Sequence, residues 1–133
     1  MTPRFPVGLL AAVAIAGCGG NDGGPTPPHA GDLVVSYFPG GSQPGAIMLT
    51  ISGGPVESVL ALPATAVQVS FNLVAPGTTR VLVTGALVTG DLFTIRVADT
   101  ALATRYVARI DQVADNVTFA LVDPLNHTFT VHH

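Results

Sequence analysis

The sequence predicts an all-β fold, an antiparallel sandwich of eight or nine short strands. Three observations carry this expectation. Apolar and polar residues alternate at a period of two in several stretches, and clusters of Gly, Pro, Asn and Asp recur between those stretches. No helical stretch of useful length follows the apolar run near the N-terminus. A period of two sends successive side chains to opposite faces, so one face is buried and the other wetted, the pattern of an antiparallel sheet.

The elements follow in order. Residues 32–38 (DLVVSYF) form the first expected strand, closed by Pro39-Gly40-Gly41. Residues 45–51 (GAIMLTI) set Ile47, Leu49 and Ile51 on one face and Met48 and Thr50 on the other. Ser52-Gly53-Gly54-Pro55 turns the chain, because glycine reaches positive φ freely and proline cannot donate to a ladder. Residues 56–62 (VESVLAL) suit a strand or a short helical turn and are assigned as strand. The clearest alternation comes next, with Val67, Val69, Phe71 and Leu73 expected on a buried face and Gln68, Ser70 and Asn72 on a polar one. After Pro76-Gly77, residues 80–84 and 91–97 give two strands, with Val81, Val83, Phe93, Ile95 and Val97 facing in. Residues 104–113 and 116–122 are two more, and Asp123-Pro124 precedes a last strand over 126–132. Each fully buried Val, Ile or Phe stabilises by roughly 1.5 to 3 kcal/mol, which offsets the cost of ordering the chain.

Composition agrees with a folded body. The 133 residues are 48% hydrophobic and 10% charged, without a lysine, whereas disordered chains are poor in apolar residues and rich in charge. Arginines at 80, 96, 105 and 109 face eight acidic residues and form no basic cluster, which argues against nucleic acid as a partner.

The N-terminus has a different character. Arg4 is followed by an apolar run over 7–16, interrupted only by Gly8 and too short to span a bilayer as a helix. Ile15-Ala16-Gly17-Cys18 then resembles the lipobox of bacterial lipoproteins. That resemblance implies lipidation of Cys18: the thiol joined to a diacylglycerol, the chain cut before it, and in many such proteins the new amine acylated. Several acyl chains make a stable membrane anchor where one is marginal. It also explains a lone cysteine in an exported chain. Gly19, rather than the aspartate that retains such proteins at the inner membrane, favours the outer membrane of the cell envelope. Residues 19–31 (GGNDGGPTPPHAG) read as a flexible Gly/Pro linker reaching about 45 Å if extended. The layout is a lipoprotein signal peptide over 1–17, the acylated Cys18 and linker over 18–31, and a β-sandwich domain over 32–133. Removing 17 of the 133 residues leaves 116, enough for one domain.

Arg80-Val81-Leu82-Val83-Thr84-Gly85, then Gly90-Asp91-Leu92-Phe93-Thr94-Ile95, makes a strand, a glycine step and a second strand. In this the chain resembles cohesin-like and immunoglobulin-like sandwiches, a likeness of strand spacing that transfers no binding residues.

No catalytic constellation stands out. The serines at 36, 42, 52, 58 and 70 lack the nucleophile-elbow pattern. His127 and His133 share parity with Phe129 and Val131 while His132 falls with Thr128 and Thr130, which argues against a shared metal site. His132 and His133 read as a solvated strand end and His29 as a linker residue. Asp111, Asp115 and Asp123 lack the spacing of a calcium loop and read as turn residues. Arg105 and Arg109 form at most a solvated stripe, and Tyr37 and Tyr106 read as half-buried strand residues. The expectation is a lipid-anchored, non-enzymatic protein without cofactor or metal. It meets an envelope protein partner, or serves a structural role, through an exposed edge strand. The alternative is a glycan- or small-ligand-binding module with Tyr37 or Tyr106 at the mouth of a pocket.

Overall fold

The computed structural model describes residues 23–41 and 43–133, and is an all-β sandwich of two antiparallel sheets. The expected signal peptide and Cys18 lie outside the described residues. The strands are β1 (Gly31–Phe38), β2 (Pro44–Ser52), β3 (Ser58–Ala61), β4 (Val67–Ala75), β5 (Thr78–Gly85), β6 (Gly90–Val97), β7 (Val107–Asp115), β8 (Leu121–Val122) and β9 (Thr128–His132). One sheet has the order β3-β6-β1-β9 and the other β4-β5-β2-β7-β8.

The core lies between the sheets and is built from alternating rows. Leu33, Val35 and Tyr37 of β1 and Phe93, Ile95 and Val97 of β6 face Ile47, Leu49 and Ile51 of β2 and Val81 and Val83 of β5, all without solvent exposure. The rows of β2, β5 and β6 are those that alternation predicts, while the row of β1 emerges only in the structure. Tyr37 is wholly buried rather than half-buried, and burial pushes its hydroxyl up to about 12.

Two bulges keep charge out of this core. Counting by twos back from Phe93 along β6 would bring Asp91 inward. Instead Leu92 is inserted between the pairs Val35–Phe93 and Ser36–Asp91, and Asp91 turns to the outer face. In β7 the inner row shifts from Val113 to Ile110 and Ala108, because Asp111 is the extra residue between Gln112 and Ile110. Its carboxylate reaches the outer face, where it accepts the Thr50 hydroxyl at 2.5 Å.

Three expectations are corrected. Residues 100–105 form a 3-10 turn capped by the Asp99 carboxylate, which accepts the Ala101 N–H at 3.1 Å, so β7 begins at Val107 and not at 104. Arg105 therefore does not share a strand with Arg109. The expected strand over 116–122 shrinks to the two residues of β8, because the Asp115 carboxylate accepts the N–H groups of Val117 at 2.9 Å and Thr118 at 2.8 Å and closes a turn. The third concerns β4. Its row begins buried, at Val67, but Phe71 is 44% and Leu73 61% exposed.

The turn after β2 shows why glycine is needed there. Gly53 has φ +112°, and a Cβ would lie 1.9 Å from the Arg105 carbonyl oxygen. Beside that end of the sandwich the linker is pinned. The His29 N–H donates to Asp99 at 3.3 Å, and the His29 carbonyl accepts the Thr100 N–H at 2.8 Å.

Among the described residues one buried side-chain polar atom lacks a partner. Thr79 sits on the inner face of β5 opposite Ile51 and Leu73, and its Oγ1 makes no hydrogen bond. Replacing it by the isosteric Thr79→Val removes an unsatisfied hydroxyl. The unfolding free energy, measured by chemical denaturation, is expected to rise by about 1 kcal/mol.

Candidate docking surface

The four sheet edges differ in length and protection. β3 offers four residues, β9 five and β8 two, whereas β4 offers nine. β4 reads VQVSFNLVA, without a charge or a proline. Edge strands are commonly blunted by lysine, proline, inward charge or brevity, because their free N–H and C=O groups template pairing. β4 has none of these devices; its one irregularity is the bulge at Val74, near the end of the strand.

The apolar row of β4 is exposed because its cover is short. β3 lies over β4 in the opposite sheet, and the two are joined by a turn in which Thr65 hydrogen-bonds Leu62 through both its N–H and its hydroxyl. From that turn, four residues of β3 run beside nine of β4. Val67 and Val69 are covered; Phe71 and Leu73 extend past the end of β3. The outer face adds to this surface. Met48 pairs with Leu82, Ala46 with Ala114, and Ala114 with Leu121, so an apolar stripe crosses β2, β5, β7 and β8 and meets β4 at Ser70, which pairs with Leu82. Beside it a shallow depression of about 180 Å³ is lined by Met48, Ser70, Phe71, Asn72, Arg80 and Leu82.

A polar cluster lies on the outer face of the other sheet. Ser36 of β1 donates its hydroxyl to the Asp91 carboxylate of β6, and the His132 Nε2 of β9 lies 2.7 Å from the Ser36 Oγ and 3.4 Å from the same carboxylate. His132 is therefore tied to the sheet rather than free, although its side chain remains 46% exposed. The residue types are those of a hydrolytic triad, but the order is not. In a triad the carboxylate holds the other imidazole nitrogen and the histidine takes the serine proton. Here carboxylate and imidazole converge on one hydroxyl, and the His132 Nδ1 faces the His133 carbonyl at 3.4 Å. A serine that gives its only proton to aspartate is pinned rather than activated. The cluster ties β6, β1 and β9 together across their outer face.

The remaining candidates separate. Asp111 holds Thr50 and lies 3.4 Å from Arg109, Asp115 closes its own turn, and Asp123 caps the short 3-10 turn Pro124–Asn126. These three carboxylates serve separate local roles. Arg96 pairs with Asp32 at 3.4 Å on the exposed face. Tyr106 is buried and donates to the Pro55 carbonyl at 3.0 Å, so neither tyrosine stands at a pocket mouth. Tyr37 instead meets His127 in the core, with its hydroxyl 2.7 Å from Nδ1, and His127 in turn lines a cleft of about 280 Å³ between β7 and the Pro124–Phe129 stretch. Alternation found the inner rows but missed the serine cluster, whose members lie 55 and 96 residues apart from Ser36.

The cluster and the Asp115 turn set an acid dependence. Asp91 is held below the usual carboxylate range, chiefly by the Ser36 hydroxyl and then by His132, with burial opposing. Asp115 is held low by the Thr118 and Val117 N–H groups. A carboxyl lowered on folding contributes stability that is complete above its unfolded value, about 4, and lost as the pH falls through its folded value. Denaturation midpoints are therefore expected to decline as the pH is lowered through and below about 4. Asp91→Asn and Asp115→Asn are each expected to lower stability at neutral pH and to flatten that decline.

The chain matches no protein-family model, no curated protein and no solved structure.

Proposed function

We propose that this chain is a lipid-anchored, non-enzymatic protein of the bacterial envelope whose sandwich docks a protein partner, with β4 as the docking strand. The observation that carries the reading is the nine-residue, uncharged β4 edge with Phe71 and Leu73 uncovered. A strand added there gains main-chain hydrogen bonds along its length, and the alternate side chains supply selectivity. The lipobox-like Ile15-Ala16-Gly17-Cys18 supports the anchor, and the exposed residues 23–30 support a tether before the sandwich. The pinned Ser36 hydroxyl supports the non-enzymatic part.

A second reading, a small-ligand module, is favoured by one observation. His127 is buried at the wall of the cleft beside β7, and its Nε2 has no hydrogen-bond partner among the described residues.

Metabolic labelling with a palmitate analogue and cross-linking in intact cells test the leading reading together. Label is expected on the parent chain and absent from Cys18→Ser. A reproducible cross-linked protein is expected for the parent and lost in Phe71→Lys, which places a charge on the edge. An unlabelled parent rejects the anchor. A cross-link unaffected by Phe71→Lys, or none at all, rejects the docking edge and turns attention to ligand screens at His127.

A further inference from the structure

We propose that β4 is a self-association strand, along which two copies of this chain pair antiparallel with Phe71 on the two-fold axis. The inference rests on the docking reading above and names the partner as a second copy.

The argument begins with the order of residues along the strand. Val69-Ser70-Phe71-Asn72-Leu73 runs apolar, polar, aromatic, polar, apolar, the same in both directions. A two-fold centred on Phe71 sets Val69 against the partner's Leu73, Ser70 against the partner's Asn72 and Phe71 against its own copy. Residues directly opposite in an antiparallel pair have Cβ atoms about 5 Å apart, so every central pair meets its own kind. A one-residue slip would set Val69 against Asn72 and mix apolar and polar side chains on both faces, whereas a two-residue slip would keep the faces but set Phe71 against Val69 or Leu73 instead of its own copy. The bulge at Val74, where the ladder passes from Leu73–Thr79 to Ala75–Thr78, falls outside these five residues.

Charge permits the same pairing. No residue of β4 is ionisable, and the nearest cation across the ladder is Arg80, opposite Asn72 on β5. In the pair, two β4 strands separate Arg80 from its copy, a spacing of about 14 Å at about 4.8 Å per strand. That exceeds the screening length of about 8 Å at physiological ionic strength. Nothing along the edge repels a second copy, and no charge selects a foreign strand.

The uncovered row explains what the pairing buries. Phe71 and Leu73 lie on the inner side of β4, past the end of β3. Two copies joined at β4 extend the five-stranded sheet into one of ten and bring both uncovered rows together. The contact is isologous and closes on itself, so it stops at two and does not propagate as a fibre.

Register gives a specific test. The full chain with Cys18→Ser has no thiol, and Ser70→Cys or Asn72→Cys then adds one on the polar row. Opposite positions fall within disulfide reach, whereas each residue and its own copy lie about 7 to 8 Å apart on the diagonal, beyond it. On oxidation of a mixture, the 70–72 mixed disulfide is expected to dominate over either homodisulfide. Sedimentation is expected to give a dimer for the Cys18→Ser chain and a monomer for Phe71→Lys, with Leu73→Lys as a second charged variant and circular dichroism confirming the fold of both. Random or absent cross-linking, or a dimer that persists in both charged variants, overturns the proposal. A monomeric chain whose cellular cross-link is still lost in Phe71→Lys overturns self-pairing alone and leaves a foreign partner on the edge. A monomeric chain whose cellular cross-link ignores Phe71→Lys overturns both readings.

Discussion

Keeping carboxylates out of a core made of alternating rows is the constraint on which the rest of this structure depends. A strand has only two faces, and a run of apolar residues at every second position commits each intervening residue to the other face. Asp91 and Asp111 both stand at positions that strict alternation would turn inward. An unpaired carboxylate there would cost far more than any one apolar side chain contributes. One inserted residue in each strand resolves the conflict, Leu92 in β6 and Asp111 itself in β7. The two carboxylates emerge on outer faces beside hydroxyls, Asp91 at Ser36 and Asp111 at Thr50. The bulges are thus what build the polar contacts of the outer faces, including the arrangement that joins Ser36 and His132 to Asp91.

What was legible in the chain follows from the range of the forces involved. The rows of β2, β5 and β6 are visible because alternation is a local property and both sheets cover these strands along their length. β4 alternates just as well, yet half its row is uncovered, because cover depends on where β3 stops. Nothing within residues 67–73 encodes that length. Residues 116–120 read as strand for the opposite reason: the hydrogen bonds that make them a turn come from the Asp115 side chain and escape a count of apolar residues. The serine cluster was invisible because only the order β6-β1-β9 brings its members side by side. Parity still placed His132 on the outer face correctly, with Thr128 and Thr130 opposite Phe38 and Ser36.

The sheet edges share one sandwich but follow different policies. β3, β8 and β9 are short, and β9 also carries a histidine held to the neighbouring strands. Against these protected edges the length and neutrality of β4 stand out as a property of that strand rather than of the fold. Its exposed residues also continue onto the outer apolar stripe through Ser70 and Leu82. Edge and face therefore form one surface, which runs from β4 across the outer face of the five-stranded sheet to Leu121 of β8.

The pinned linker has a mechanical consequence. Residues preceding the sandwich enter through β1, which lies between β6 and β9 and is antiparallel to both. Tension applied through those residues acts along the axis of β1 and loads its two ladders in shear, so the hydrogen bonds share the force rather than opening one at a time. Before any ladder is strained, the backbone bonds of His29 to Asp99 and Thr100 take up the pull. A pull through residues 23–30 therefore meets the sandwich in its strongest geometry.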